Sequence, residues 1–172
     1  MRKISLLILI FTSCIVHDKY FVHITKNDFA NSTLYRLKDN ILSAEDNHEA
    51  HSKKIDLRIE RFDSPDTTTF SLMIVYSGND YMFIRPGESL VFLIDGKRFG
   101  LSGTGGELSP QAFKRDVVSE SARYDVTLEF LKKMIFAKYV WIKIKGDRFD
   151  LERFITESLF EKFRRFYREY MQ

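Results

Sequence analysis

Any chemistry in this chain must come from a short list of residues. There is one thiol, Cys14, and there are four imidazoles, two of them close together in His48-Glu49-Ala50-His51. With Glu45 and Asp46 just ahead, that stretch offers the nitrogen and oxygen ligands that transition metals take. A zinc-protease helix needs two residues between the Glu and the second His, and here only Ala50 intervenes. The segment is also too polar to fix a coordination geometry by packing, so it reads as a solvated loop. Gly100-Leu101-Ser102-Gly103-Thr104-Gly105-Gly106 is the second candidate. A phosphate-cradling loop would continue with Lys where Glu107 stands. A nucleophile elbow would need Gly where Thr104 follows Ser102. No His follows His51, so a triad would have to draw its base from the N-terminal third. The stretch therefore reads as a flexible connection. The third candidate is Trp141 with Lys143 and Lys145, three alternate residues of a strand and hence neighbours on one face. If that face is uncovered, it is an aromatic and basic patch suited to contact with a partner. No catalytic set, metal or cofactor is expected from these residues. Scattered Asp and Glu leave a hydrolase open, because paired carboxylates need only converge in space.

The composition narrows the class. Of 172 residues, 44% are hydrophobic, 30% charged and 15% aromatic, with 8 Gly and 3 Pro, which excludes collagen-like, low-complexity and wholly disordered chains. A single Cys excludes an intramolecular disulfide framework and a multi-Cys zinc site. The length suits one domain with a sizeable core.

The amino terminus is organised as an address. Arg2 and Lys3 precede the apolar run Ile4-Ser5-Leu6-Leu7-Ile8-Leu9-Ile10-Phe11, a basic region followed by a hydrophobic one. From Ile4 to Val16 the run spans ~20 Å as a helix, short of the ~30 Å of a bilayer core. His17-Asp18-Lys19 then turns polar. Phe11-Thr12-Ser13-Cys14 resembles a bacterial lipoprotein lipobox, with small residues before the acylated Cys. Phe11 stands where Leu is commonest, as in the relaxed lipoboxes of spirochaetes. The resemblance implies diacylglycerol on the Cys14 thiol, cleavage after Ser13 and acylation of the new amino terminus with chains such as palmitate. Residues 1–13 would then be an export signal peptide, and 14–172 one domain anchored to membrane lipid through Cys14. At ~0.8 kcal/mol per buried methylene, several acyl chains make such an anchor effectively permanent. Ile15, where a retention signal would place Asp, tilts the resemblance towards the outer membrane. Losing Arg2 and Lys3 leaves 25 basic residues against 24 acidic ones, a net charge of +1. That is no electrostatic footprint for nucleic acid.

The scaffold beneath these residues is mainly strand. His17 to about Thr25 is rich in β-branched and aromatic residues, and Asn31 to Ala44 fits a strand although Leu34, Leu37 and Ile41 also sit at helical spacing. Ser43 to Lys54 reads as a loop. Ile55, Leu57 and Ile59 alternate with Asp56, Arg58 and Glu60, the pattern of a half-buried antiparallel strand. Further strands are predicted over Thr68–Tyr76, Tyr81–Ile84, Leu90–Ile94, Lys97–Leu101, Val117–Val126 and Val140–Ile144. Asp95-Gly96 between two β-rich runs predicts a two-residue type I′ hairpin. Ser102–Ser109 reads as loop, and Thr127 as the cap of a short helix carrying Leu128, Leu131 and Ile135 on one face. Towards the end of the chain, Leu159, Phe160, Phe163, Phe166, Tyr167 and Tyr170 share one helical face, opposite Glu161, Lys162, Arg164, Arg165, Arg168 and Glu169. Ser158 and Glu161 have the spacing of a capping box.

The expected fold is therefore α+β: a mostly antiparallel sheet of about six to eight strands, with a short helix and a longer C-terminal amphipathic helix packed on it. Its strand–helix–strand–helix ending resembles small spirochaete-like envelope lipoproteins of uncharacterised function. The expected role is a non-enzymatic cell-envelope lipoprotein, a structural or binding module whose possible protein contact is Trp141, Lys143 and Lys145. The alternatives are a secreted or surface hydrolase using acidic residues and a host-facing adhesin.

Overall fold

The computed structural model describes residues 20–45, 52–109 and 117–172. Cys14 and His48 to His51 lie outside them.

Period-two patterning becomes antiparallel ladder throughout. In chain order the described elements are β1 (Phe21–Asn27), β2 (Ser32–Lys38), β3 (Lys54–Asp63), β4 (Thr68–Gly78), β5 (Gly87–Ile94), β6 (Lys97–Gly103), β7 (Glu107–Leu108), β8 (Val118–Val126), α1 (Leu128–Ile135), β9 (Val140–Ile144), β10 (Leu151–Phe154) and α2 (Glu157–Tyr170). The α+β class and both helices are as expected. The strands are divided between two sheets. One has six strands in the order β1-β2-β3-β4-β8-β7, and the other has four in the order β10-β9-β5-β6. Asp95 and Gly96 have φ of 47° and 81°, the left-handed pair a type I′ turn requires between β5 and β6.

Apolar side chains from both sheets and both helices form one contiguous core. Leu57 and Ile59 of β3, Leu72 and Ile74 of β4 and Tyr124 of β8 supply it from the larger sheet. Leu90 and Phe92 of β5 and Ile142 and Ile144 of β9 supply it from the smaller. Helix α1 meets the smaller sheet through Phe130, edge-on to Phe92 at 5.3 Å. Helix α2 meets the larger sheet through Tyr170, 5.3 Å from Tyr35. The two helices touch where Phe136 packs on Tyr167 at 5.4 Å. Thr127 caps α1 as expected, its side chain accepting the Phe130 N–H at 3.1 Å.

Several details depart from the sequence expectation. Tyr81–Ile84 is not a strand. The Phe83 and Ile84 N–H groups donate to the buried Glu120 carboxylate, so they are spent on a side chain rather than a ladder. Ser102–Ser109 is not all loop, because β6 runs to Gly103 and β7 pairs with β8. Strand β10 was not expected. It pairs with β9, and its Phe154 exchanges two backbone bonds with Ser43. No capping box forms on α2: Thr156 is the N-cap, and its hydroxyl lies 3.1 Å from that of Ser158. Lys162 is buried rather than solvated, since a long aliphatic stem at the margin of an apolar stripe covers core surface.

Candidate functional site

The structure brings Trp141, Lys143 and Lys145 together on the outer face of the four-stranded sheet. Alternation along β9 sends Val140, Ile142 and Ile144 into the core and leaves these three on the other side. Register then fixes their neighbours. Across the sheet, Arg98, Leu93, Trp141 and Phe154 stand in one row. Gly100, Val91, Lys143 and Glu152 stand in the next. The face is apolar at one end, where the Trp141 and Phe154 rings lie 5.4 Å apart and Leu93 is 41% exposed. It is charged at the other. Lys143 pairs with Glu152 at 3.2 Å and Asp150 at 3.4 Å. Glu88 receives Arg98 and Lys145, the latter at 3.3 Å.

An open cleft of about 440 Å³ lies on this face, lined by Val91, Leu93, Arg98, Trp141, Lys143, Glu152 and Glu45. That size falls in the range of small-ligand sites. Glu45 reaches it because the Ser43–Phe154 bridge lays the chain along β10. Gly100 is the reason Glu88 can cross the face: a Cβ there would stand 2.0 Å from a Glu88 carboxylate oxygen.

The charges around the cleft are already matched. The Arg98 and Lys145 hydrogen bonds hold the Glu88 carboxyl below the usual carboxylate range. Glu152 and Asp150 hold the Lys143 ammonium above the usual lysine value. The patch expected to be basic is thus a grid of exposed ion pairs around an apolar centre. Glu129 and Glu169 are likewise held low, by Lys133 and Arg165 respectively. A general acid needs a carboxyl pushed the other way.

Val91, Leu93, Arg98 and Glu152 were not picked out as site residues from the sequence. One signal was present. Leu90-Val91-Phe92-Leu93-Ile94 is apolar at every position, which marks a strand that is apolar on both faces.

The glycine-rich stretch has a packing role. Gly106 lies against the buried Glu120, where a Cβ would stand 1.9 Å from a carboxylate oxygen. Its N–H donates to the Ile84 carbonyl at 2.9 Å, closing the loop that Glu120 holds. The outer face of the larger sheet carries a second charged cluster. Glu60, 1% exposed, accepts from Arg36, from Ser71 at 3.0 Å and from Arg123 at 3.0 Å. A polar depression of about 320 Å³ beside it is lined by Glu107, Ser121, Arg123 and Asp125. Among the described residues, no group of three or more His, Cys, Asp or Glu is placed to hold a metal ion. No described helix is long and apolar enough to cross a membrane. No protein-family model, curated protein or solved structure matches the chain.

Proposed function

We propose that this protein is a non-enzymatic cell-envelope lipoprotein, a binding module that acylated Cys14 holds on a membrane and that meets its partner through the outer face of the four-stranded sheet. The observation that carries the binding role is the cleft at Trp141, an apolar centre left open on a sheet whose other face is sealed into the core. Val91, Leu93 and Trp141 form one apolar centre on that face, the kind of exposed patch a partner covers. The ion pairs around the cleft cancel among themselves and leave only the Glu45 charge over. Affinity would come from the apolar centre, and the flanking charges would set orientation. The anchoring half of the proposal is supported by the lipobox-like Phe11-Thr12-Ser13-Cys14 after a basic and apolar leader.

Two measurements test the two halves. Metabolic labelling with an alkynyl fatty acid should mark the wild-type protein and leave Cys14→Ala unmarked; an unmarked wild type rejects the anchor. A photo-crosslinking residue placed at Leu93 should form a discrete adduct in intact cells. The same residue at Leu108, on the far edge of the larger sheet, should not. Equal yields at the two positions would reject the cleft as the contact site.

A further inference from the structure

The strand that follows the proposed anchor in the chain lies at a sheet edge. Among the described strands, β1 is the outermost of the six-stranded sheet and pairs only with β2. All of its residues except Val22 are exposed. Phe21 and Ile24 are 46% and 44% exposed, and Phe29, in the turn to β2, is 106% exposed. An edge strand leaves a row of backbone N–H and C=O groups unpaired, and proteins usually cover or blunt it. Here the edge mixes exposed Phe21 and Ile24 with Lys26 and ends, at the turn, in the fully exposed Phe29 ring.

The chain enters this strand at a fixed point. The Tyr20 hydroxyl donates to Glu169 of α2 at 2.9 Å, and the Arg165 guanidinium lies 4.0 Å from the centre of the Tyr20 ring. Tyr20 is therefore pinned to the last helix. Cys14 stands six positions earlier, so the acylated residue can lie no more than about 20 Å from Tyr20. The run from Phe21 to Asn27 is of similar length, about 20 Å at ~3.4 Å per residue. A bilayer that holds Cys14 thus lies within reach of the whole β1 edge when the strand tilts towards it. The opposite edge of the same sheet, β7, is five ladder steps away, or about 24 Å at ~4.8 Å per step.

We infer that the β1–β2 hairpin is the membrane-facing side of the domain, with the Phe29 ring inserted at the boundary between lipid headgroups and acyl chains. This rests on the lipid-anchor reading of Cys14. The occupant is a bilayer rather than a protein groove because the tether brings one to this edge. Phe29 projects singly beyond the ladder, a shape that suits a deformable surface. Lys26 on β1, and Lys38 lying 4.7 Å over the Phe21 ring, supply cations for lipid phosphates along the same edge. Exposed Asp28 and Asp39 balance these cations in formal charge, so attachment here rests on the aromatic and aliphatic side chains rather than on net charge.

The test uses the full lipoprotein purified from membranes and reconstituted in phosphatidylethanolamine–phosphatidylglycerol vesicles. Trp141, the single tryptophan, is replaced by Phe. A reporter is then introduced as Phe29→Trp or, at the far edge, Leu108→Trp. Phe29 and Leu108 are both exposed, so neither substitution disturbs the core. With brominated acyl chains, emission from position 29 should fall at least two-fold and shift to the blue, while emission from position 108 should not change. Equal quenching at the two positions in protein that floats with the vesicles overturns the inference and leaves the anchor standing. Quenching at 29 that appears only at high surface density means that a second copy covers the edge, and also overturns it. Protein that fails to float overturns the anchor and this inference with it.

Discussion

Glu120 shows how much one buried side chain organises. Its carboxylate, 1% exposed, accepts from the Phe83 and Ile84 N–H groups and fills the space that Gly106 leaves. Charge-assisted bonds of this kind are shorter and stronger than neutral ones. Glu120→Ala removes both acceptors and leaves buried donors unmet, so it should cost about 3 kcal/mol, read as a lower urea midpoint at unchanged slope. Tyr76 is a second case. Burial, then the charges of Asp80 and Glu120, push its phenol up to about 12, and its hydroxyl donates to the Asp80 carbonyl at 2.7 Å. A phenol raised in the folded state stabilises the fold fully below its unfolded value of ~10 and loses that contribution as pH climbs through the folded value. The melting temperature should therefore fall between pH 10 and 12, and fall less steeply in Tyr76→Phe. Tyr20 and Tyr124 are raised as well, so that variant removes only part of the slope. Equal slopes in the two proteins would contradict this account of Tyr76.

At the scale of elements, α2 was the most legible. Its six apolar residues at helical spacing predict one buried stripe. Leu159, Phe160, Phe163 and Phe166 are buried, with Tyr167 and Tyr170 packed at its margin. Phe163 is fully enclosed, so Phe163→Asp loses a packed ring, worth at least about 4 kcal/mol, and also buries a charge. Cooperative thermal unfolding should be lost or α2 released; a normal transition by circular dichroism would show that the ring is not core. Elements whose backbone bonds go elsewhere were illegible. Tyr81-Met82-Phe83-Ile84 has the composition of a strand, yet its donors are taken by Glu120, which lies some forty residues on. Strand β10 is only Leu151–Phe154, too short for alternation to stand out, and it is held from both sides by β9 and Ser43.

For the whole molecule, one continuous core joins both sheets and both helices, so a single unfolding transition is expected. The surface ion pairs add little to it. Glu88, Glu129 and Glu169 are each held low by a cation, so their contribution is present above their unfolded values of ~4.3 and is lost as pH falls through the folded ones. All three are at the surface and screened. Acid should therefore lower the melting temperature only gently below pH ~4, and 0.5 M salt should flatten that slope further. A steep acid transition insensitive to salt would contradict this account of the surface pairs.

The strand-rich α+β class, the Asp95-Gly96 turn, the Thr127 cap and the buried stripe of α2 all follow from local chemistry. Each depends on side chains within a few positions of one another. It also put Trp141, Lys143 and Lys145 on one face, because alternation is a property of the strand alone. Long-range pairing divides the strands between two sheets, leaves the outer face of the smaller one open, and sets Glu88, Asp150 and Glu152 against its lysines. Those outcomes depend on which distant strands pair and in what register, and no local pattern encodes that choice.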